Sequence, residues 1–411
     1  MINQKCRFCG THLKYTFADL GMSPLSNSYL RPDQLMEREI FYPLHAYVCE
    51  GCLLVQLDEF EAPEQIFSDY AYFSSYAATW LRHVQQYADM VTTRFDIHAS
   101  SQVVEIASND GYLLQYFKQK GTPVLGIEPA ANVAKIAIEK GIPTAIEFFG
   151  KSTANKIITE YQLQADLLIA NNVLAHVPDL LDFVAGMKLL LKPGGVITVE
   201  FPYLLELIKN NQFDTIYHEH FSYFSLMTVQ KIFASQGLTI FDVDELSTHG
   251  GSLRVYARHG EDSGKLVHSR VNNLLLNEET MGLTELALYR KFNDQVKETK
   301  WKILNFLISA RREGKTIAGY GAPAKGNTLL NFCGIRTDFM DYTVDRSPYK
   351  QGLYLPGTHI PIEHPEKIRE TKPDYLLILP WNLQEEVMEQ MSYIREWGGK
   401  FVIPIPEVKV I

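Results

Sequence analysis

The sequence predicts an α/β protein with two doubly wound units behind a small, cysteine-stapled N-terminal module. Two cysteine pairs lie within the first 52 residues. Two later stretches alternate short apolar runs with helical segments, and each has a glycine turn after its first apolar run. Such alternation is typical of parallel sheets flanked by helices. The expected domains are residues 1–68, 69–258 and 259–411.

The composition is that of a globular protein and excludes two classes of partner. The chain has 411 residues, of which 46% are hydrophobic, and a formal net charge of −9. This acidic balance argues against binding to nucleic acid or to an anionic membrane surface. No apolar run approaches the ~20 residues that a membrane helix needs. The first residues lack the apolar core of a signal peptide, so the expected location is the cytoplasm.

The N-terminal module contains two Cys-x-x-Cys pairs, Cys6/Cys9 and Cys49/Cys52. In a reducing compartment such pairs are typical of metal ligands rather than disulfides. Four thiolates suit tetrahedral Zn²⁺ and leave no coordination position for water, so the predicted zinc is structural. The alternative is four buried thiols without a metal. Cys333 stands alone and is expected to be a core thiol.

The central unit begins with a helix and continues as alternating strands and helices. The expected helices span residues 77–94, 132–140, 179–191 and 226–236, and the expected strands 102–107, 124–127, 166–170 and 196–201. Residues 192–195, Lys-Pro-Gly-Gly, read as a turn. Two further runs, 238–243 and 253–257, resemble a hairpin that closes such a sheet.

The C-terminal unit follows a charged helical stretch at residues 260–312. Its expected strands span residues 316–320, 342–344, 375–379 and 401–403. The first strand runs into a glycine-rich turn at residues 319–326, and a short helix follows. The arrangement repeats that of the central unit without detectable sequence similarity to it.

A candidate cofactor loop connects the first strand of the central unit to its first helix. The loop lacks Gly-x-Gly-x-x-Gly, which disfavours a dinucleotide. An acid in the first strand and another after the second are instead the pattern of S-adenosylmethionine methyltransferases, although Ala107 stands where glycine is more common. The alternative is a sheet without a cofactor. The predicted cofactor-binding residues are Glu105, Ala107, Asn109, Gly111, Glu128, Pro129, Asn171 and Asn172.

The densest group of proton-handling side chains is Tyr217-His218-Glu219-His220. In an extended segment Tyr217 and Glu219 would face one side and the two histidines the other, whereas a turn would let them converge. His176 follows another strand, at the edge where open α/β sheets bind ligands. A polar helix cap and a structural histidine are the respective alternatives.

Two glycine-containing segments are candidate anion or nucleotide sites. His249-Gly250-Gly251-Ser252-Leu253-Arg254 would let the backbone approach a ligand, or form a hairpin turn. The turn at 319–326 supplies Lys325 and precedes Asn327, and Arg346 and Lys350 come later. A purely structural half-domain is the alternative for this second segment.

These motifs, in this order, resemble the nucleotide-hexose 3-C-methyltransferases over nearly the whole chain. The resemblance implies a zinc-binding N-terminal domain, a central Rossmann-like class I methyltransferase domain and a C-terminal Rossmann-like domain that binds a nucleotide sugar. It implies transfer of a methyl group from S-adenosylmethionine to carbon 3 of a thymidine-diphosphate-linked (dTDP-linked) 4-keto-6-deoxy sugar. Carbon 3 is α to the ketone, so a base can form an enolate there.

The resemblance also implies roles for residues. His220 is the expected general base, which suits histidine near neutral pH. Tyr217, His176 and Tyr72 are expected at the enolate or a hydroxyl, and Glu219 is expected to position groups; Tyr70 and Tyr76 compete with Tyr72. His218 is expected to be structural. The expected substrate-binding residues are Tyr76, His249, Gly251, Ser252, Lys325, Asn327, Arg346 and Lys350.

Three other functions are compatible with parts of the sequence. A nicotinamide-dependent (NAD(P)-dependent) sugar-nucleotide reductase or epimerase would use the C-terminal glycine turn and Asp345. A methyltransferase that acts on a sugar hydroxyl would need the same cofactor loop. A zinc-bearing adaptor or nucleic-acid binder is the non-enzymatic alternative, and the acidic charge and the scarcity of Lys/Arg clusters argue against it. The sequence leaves the oligomeric state open, and a monomer is compatible with it.

Overall fold

The computed structural model describes residues 4–61, 75 and 78–411 and contains three β-sheets. The first is antiparallel, with the order β1 (Tyr15–Ser23), β2 (Tyr42–Val48), β3 (Val55–Gln56) and β9 (Ser222–Tyr223). Its last strand therefore comes from the middle of the chain. Val55 pairs with Tyr223 and Gln56 with Ser222. The N-terminal sheet is thus completed by the segment that directly follows His220.

The central sheet has seven strands in the order β10-β11-β8-β7-β4-β5-β6. They are β4 (Val103–Ile106), β5 (Val124–Ile127), β6 (Thr144–Ala145), β7 (Ala165–Asn171), β8 (Leu191–Pro202), β10 (Leu238–Leu246) and β11 (Ser252–His259). Strands β4 to β8 are parallel, whereas β11 is antiparallel to β8 and to β10. The predicted closing hairpin is confirmed.

Seven α-helices lie between residues 78 and 235, within the described chain segment that forms most of the central sheet. They are α1 (Ala78–Arg94), α2 (Leu114–Gln119), α3 (Ala131–Glu139), α4 (Lys151–Glu160), α5 (Leu180–Leu190), α6 (Leu204–Lys209) and α7 (Leu226–Ser235). Asp179 caps α5, because its side chain accepts a hydrogen bond from the Asp182 amide. Ser225 caps α7 in the same way through the Thr228 amide.

The C-terminal sheet has six strands in the order β14-β13-β12-β15-β16-β17. They are β12 (Ile317–Tyr320), β13 (Thr343–Val344), β14 (Ile362–Glu363), β15 (Tyr375–Ile378), β16 (Lys400–Ile403) and β17 (Lys409–Val410), and only β17 is antiparallel to its neighbour. The helices from here on are α8 (Ser269–Thr280), α9 (Leu286–Arg312), α10 (Ala324–Cys333), α11 (Lys367–Thr371) and α12 (Gln384–Gln390). No helix in the described ranges is long and apolar enough to cross a membrane.

The predicted strands of the two α/β units are present, whereas strands β1 and β2 and helices α4 and α6 were not predicted. Helix α4 was not predicted, because Lys151–Glu160 is mostly polar and has one large fully buried side chain, Ile157. Strand β8 begins at Leu191, and the predicted turn at 192–195 is a register shift within it rather than a break before it. The limits of the three domains, at residues 68 and 258, remain predictions.

Two of the hydrophobic cores combine residues of the N-terminal module with residues of a larger unit. One buried cluster contains residues of the N-terminal sheet together with helix α9 and the C-terminal sheet. Phe17 of β1 stacks on Phe292 of α9 with ring centroids 4.5 Å apart. A second cluster contains three zinc-module cysteines together with one face of the central sheet. The N-terminal module is therefore packed into both larger units.

The two parallel sheets bring their ligand-binding edges together. In each sheet the first strand lies between strands that continue in opposite directions, β5 and β7 around β4, and β13 and β15 around β12. Open α/β sheets bind ligands at such switch points, outside the carboxyl ends of the strands. Trp381, which follows β15, donates to the Asp214 carboxylate over 2.7 Å. The region where these two edges meet, around Asp214, Trp381 and the Tyr217–His220 segment, is called the cleft below.

Candidate active site

The four N-terminal cysteines form one cluster. The sulfur atoms of Cys6 and Cys52 are 3.5 Å apart, those of Cys9 and Cys49 are 3.4 Å apart, and all four lie within 4.8 Å of one another. A zinc ion bound at about 2.3 Å by four thiolates needs sulfur–sulfur distances of about 3.8 Å. The donor set therefore fits tetrahedral zinc. Cys333 lies apart in the C-terminal core, where burial raises its pKa to about 12.

The predicted cofactor loop adopts an unusual backbone after β4. Ala107, Asn109 and Gly111 have φ angles of +56°, +48° and +75°. The Glu128 carboxylate accepts hydrogen bonds from the amides of Asn109, over 2.9 Å, and Ala130, over 2.8 Å, so it fixes the loop against the end of β5. Pro129 lies between Glu128 and Ala130 in the sequence. The φ of Gly111 favours glycine, and a side chain there would also have to displace the end of the Ile142 side chain, which it would meet at 2.4 Å.

Several buried polar atoms at this edge have no partner within the part of the chain that the structure describes. They include both amide atoms of Asn171 and of Asn172. The buried Glu105 carboxylate has one side-chain partner, Tyr112. Burial raises the pKa of Glu105 well above its ordinary value. Buried polar groups are normally hydrogen-bonded, so their orphaned atoms indicate a missing ligand. The donors and acceptors suit a polar cofactor such as S-adenosylmethionine.

The Tyr217–His220 segment is a turn, in which the His220 amide donates to the Tyr217 carbonyl over 2.9 Å. The turn brings the phenol of Tyr217 within 2.8 Å of His220 Nε2. His218 instead points away to the N-terminal module, where its Nε2 lies 3.3 Å from the Pro43 carbonyl. Of the two geometries open to the sequence, the chain adopts the turn, and only Tyr217 and His220 converge.

Main-chain carbonyls set the tautomers of two neighbouring histidines. His220 Nδ1 lies 2.9 Å from the Thr215 carbonyl, and His176 Nδ1 lies 2.8 Å from the Glu219 carbonyl. A carbonyl only accepts, so each Nδ1 carries the hydrogen and each Nε2 carries a lone pair. The two rings are 4.8 Å apart. Burial lowers the pKa of His176 to about 4 and that of His220 well below its usual value, so both are neutral.

The Glu219 side chain is hydrogen-bonded to the N-terminal module. Its carboxylate accepts a hydrogen bond from Asn27 over 2.5 Å, in the connection between β1 and β2. It is 4% exposed, and burial raises its pKa to about 7 although Asn27 and the charge of Lys350 act in the opposite direction. The Thr215 carbonyl, and not this carboxylate, orients the His220 ring.

The glycine-containing turn before β11 places His249 over the cleft. His249 has a φ of +56°, and its ring centroid lies 5.3 Å from that of Trp80 on helix α1. Burial lowers its pKa to about 4. A side chain at Gly250 would meet Trp381 at 2.7 Å, so glycine allows the turn to approach the C-terminal unit. Ser252 is buried and donates to the Thr248 carbonyl over 3.0 Å, beside Gly251.

Lys325 extends from the C-terminal unit toward the same cleft. Its ammonium lies 2.8 Å from Asn382 Oδ1 and 4.5 Å from the centre of the Trp381 ring. Burial lowers its pKa, and the charge of Asp214 acts in the opposite direction. Asp214 is buried, and this raises its pKa to about 6 although Lys325 and Trp381 favour its charged form. A buried cation and a buried acid therefore each favour the charged form of the other.

The other predicted substrate-binding residues lie around this group. Lys350 donates to the Ala322 carbonyl over 2.8 Å, and Asn327 donates to the Ser26 carbonyl over 2.5 Å. Arg346 is exposed and lies 3.4 Å from the Glu386 carboxylate. The substrate roles of these residues remain predictions. Tyr70, Tyr72 and Tyr76 lie outside the described residues.

Three contributors to the cleft had no assigned role in the sequence analysis: Asn27, Asp214 and Trp381. A role for Trp381 could have been predicted from the sequence, because it follows β15 at the ligand-binding edge of a parallel sheet. No sequence pattern indicated a role for Asn27, because its partner Glu219 lies 192 positions away in the chain. Asp214 lies three residues before Tyr217, and in the sequence it resembles an ordinary turn residue.

Comparisons with known proteins agree with this arrangement. Family models match residues 6–67 ("Putative zinc binding domain"), 80–243 ("Methyltransferase domain") and 247–406 ("C-methyltransferase C-terminal domain"). The chain is 37% identical to C-methyltransferase NovU of Streptomyces niveus over 99% of its own length and 96% of that protein. It is 27% identical to a ubiquinone biosynthesis O-methyltransferase of Acinetobacter baylyi over 30% of its own length and 58% of that protein.

Among solved structures, an S-adenosylmethionine-dependent methyltransferase from Clostridium acetobutylicum aligns with 44% of this chain and 92% of its own, with a TM-score of 0.36 and 12% identity. The full-length match to NovU covers all three units, whereas the O-methyltransferase match is confined to part of the chain. The chain therefore belongs to the S-adenosylmethionine-dependent C-methyltransferase family, with an N-terminal zinc-binding domain.

Proposed function

We propose that this enzyme methylates carbon 3 of a dTDP-linked 4-keto-6-deoxy sugar through an enolate, in deoxysugar biosynthesis. The observation that carries the proposal is the neutral His220 ring, whose Nε2 lone pair meets the Tyr217 phenol over 2.8 Å in the cleft. A neutral imidazole next to a phenol is a proton acceptor beside a proton donor. This pair suits removal of an acidic proton α to a ketone.

His220 is the proposed general base. Its Nδ1 hydrogen is held by the Thr215 carbonyl, so only Nε2 can accept the proton from carbon 3. In this structure the Tyr217 hydroxyl donates a hydrogen bond to that Nε2 lone pair. When the phenol turns its hydrogen bond to the sugar oxygen, the lone pair is released for the substrate proton. The resulting imidazolium keeps its Nδ1 contact and needs no reorganisation.

The developing negative charge on the sugar oxygen needs donors, and we assign two. The Tyr217 phenol is one. The Glu219 carboxyl is the other, because a pKa of about 7 leaves a large protonated fraction near neutral pH. Donors placed where charge develops typically contribute about 10²–10³-fold to the rate. Bound S-adenosylmethionine supplies an electrophilic methyl group to the nucleophilic carbon.

His176 is proposed to contact a sugar hydroxyl rather than the enolate. Its Nδ1 donates to the Glu219 carbonyl and its pKa of about 4 keeps it neutral. In that tautomer Nε2 accepts hydrogen bonds and cannot stabilise an oxyanion. Tyr72 retains its proposed place at the enolate or a hydroxyl.

The diphosphate and nucleotide are proposed to bind along the C-terminal edge of the cleft. Lys325, Lys350 and Arg346 supply three cations there, and Asn327 contributes a buried amide whose Oδ1 has no partner among the described residues. Tyr76, His249, Gly251 and Ser252 complete the proposed substrate site. The charge of Lys325 acts to lower the pKa of both His220 and His249, and the charge of Lys350 acts to lower that of Glu219.

The decisive experiment supplies labelled S-adenosylmethionine and a panel of 4-keto nucleotide sugars, and follows methyl transfer together with loss of the carbon-3 proton to solvent. His220→Asn should reduce both by roughly 10²–10⁴-fold, because the general base is lost. S-adenosylmethionine should bind the variant with unchanged affinity. Normal proton exchange in His220→Asn would refute the assignment of the base.

Methylation of a sugar hydroxyl is distinguished by the same assay. It would leave the carbon-3 proton in place and put the label on oxygen. The reductase or epimerase alternative is not favoured, since the chain belongs to the C-methyltransferase family and its first loop lacks the dinucleotide pattern.

A further inference from the structure

The first cysteine knuckle contacts the candidate active site through one side chain, Arg7. This residue lies between the proposed zinc ligands Cys6 and Cys9. Its amide donates to Gln56 Oε1 over 2.9 Å, and Gln56 Nε2 lies 3.2 Å from the Cys6 sulfur. Gln56 is 1% exposed. The backbone of Arg7 is therefore held rigidly by the metal site and by strand β3.

The Arg7 guanidinium hydrogen-bonds to the loop of His176 and to the end of β3, and it packs on the ring that follows His220. Its Nη1 donates to the Pro178 carbonyl over 3.1 Å, two residues after His176. Its Nη2 donates to the Leu57 carbonyl, directly after β3. The same group lies 5.4 Å from the centre of the Phe221 ring, next to His220.

Main-chain hydrogen bonds close the connection on the other side. The Leu57 amide donates to the Phe221 carbonyl over 3.0 Å, and the Phe221 amide donates to the Ala175 carbonyl over 2.7 Å. Leu57, Phe221 and Ala175 thus form a continuous ladder from the zinc module to both histidine loops. Arg7 spans the ends of this ladder by bonding Leu57 and Pro178 at once.

We propose that Arg7 is a positioning residue that fixes the distance between His176 and His220. It acts through the loops and touches neither ring. The inference rests on the proposed roles of the two histidines. In this way the zinc module would influence the reaction indirectly. The metal site fixes the position of Arg7, and Arg7 fixes the distance between the His176 and His220 rings.

The guanidinium geometry explains why arginine suits this position. Its planar fork presents two donors to two different carbonyls, whereas a lysine ammonium is a single point of charge. A displacement of about 1 Å at a catalytic group can cost about 10²-fold in rate. A change in loop spacing should therefore appear in kcat rather than in the affinity for S-adenosylmethionine, whose proposed loop follows β4.

The test compares zinc-loaded wild type with Arg7→Met, Arg7→Lys and the control Arg38→Met, which removes an exposed cation from the same module. We expect Arg7→Met to keep one zinc per chain, to bind S-adenosylmethionine within about twofold of wild type, and to lose roughly tenfold to hundredfold in kcat. The ring-nitrogen NMR signals of His176 and His220 should shift in this variant and not in Arg38→Met.

Arg7→Lys decides the result if Arg7→Met loses zinc. It preserves the charge but not the fork, so we expect zinc to stay bound while kcat falls and the histidine signals shift. Unchanged kcat and unchanged signals in a zinc-loaded variant would overturn the proposal. Loss of zinc from both variants would also overturn it, by assigning Arg7 to the metal site alone.

The two proposals fail in distinguishable ways. If His220→Asn retains proton exchange, the proposed chemistry is wrong, and the histidine signals still report whether Arg7 sets the spacing. If the exchange is lost in His220→Asn but the signals do not respond to Arg7, only the positioning role is wrong.

Discussion

The histidines of the cleft owe their chemistry to backbone atoms rather than to acidic side chains. His176 and His220 each donate from Nδ1 to a carbonyl, and burial keeps both neutral. A carboxylate in that place would raise the pKa of the ring and favour its charged form. A neutral carbonyl fixes the tautomer and raises the pKa of the ring less than a carboxylate would. The arrangement suits a base that must be unprotonated before the substrate arrives.

At the residue scale, Glu219 should control the alkaline side of the pH profile. Its proton is half lost at a pKa of about 7, and the proposed donor is the protonated form. We therefore expect kcat/KM of the wild type to fall as the pH rises through about 7. Glu219→Gln carries a donor at every pH and should lose this fall. The measurement is kcat/KM from about pH 6 to about pH 9, which reports free-enzyme groups.

The matched control for this prediction is Glu50→Gln, which neutralises an exposed carboxylate that pairs with Lys14. Its pH profile should equal that of the wild type. An alkaline fall that persists unchanged in Glu219→Gln would show that another group titrates there.

At the scale of elements, the bond from Trp381 to Asp214 joins the segment after β15 to the residues before His220. Trp381→Phe keeps the aromatic face under Lys325 and removes only the indole donor. The buried carboxylate then lacks that partner, which costs roughly 1–3 kcal/mol. We expect a lower free energy of unfolding and a raised KM for the nucleotide sugar, measured by denaturant titration and steady-state kinetics.

Trp397→Phe is the control for this change. Its indole donates to the Pro373 carbonyl over 3.0 Å, within the C-terminal unit and away from Asp214. A loss of stability is expected there too, but KM should not move. Equal effects of the two variants on KM would contradict a role for the Trp381 contact in the cleft.

The elements that the sequence predicted are those with strong local patterns. Strand β5 was predicted as it stands, because Val124–Ile127 is a buried apolar run bounded by turn residues. Strand β9 was not, since two residues carry no periodicity and their partner Val55 lies far away in the chain. The cysteine pairs and the Tyr217–His220 segment were visible for the same local reason. The contacts of Asn27, Arg7 and Trp381 arise only from the packing of distant elements.

At the scale of the whole molecule, the zinc site should support more than its own module. Cys9→Ser removes one of four ligands, whereas Cys333→Ala removes a thiol that lies outside the cluster. Metal binding contributes directly to folding free energy at such sites. We expect Cys9→Ser to lose zinc, to unfold at a lower temperature and to lose methyl transfer, and Cys333→Ala to retain one zinc per chain and its activity.

Zinc content, thermal unfolding and methyl transfer are measured on the same preparations. Addition of zinc to a chelator-treated wild type should restore all three together. A zinc-free Cys9→Ser enzyme with full activity would contradict the expected coupling between the module and the cleft.

The membership of β9 in the N-terminal sheet defines which pieces can be exchanged between relatives. A chimera that replaces residues 4–61 alone would join a foreign β3 to the native Ser222–Tyr223 and would mismatch Val55 and Tyr223. Exchange of the N-terminal module therefore needs two crossover blocks, the module itself and the short segment around β9. The two blocks are far apart in the sequence, but they pair within one sheet and must be exchanged together.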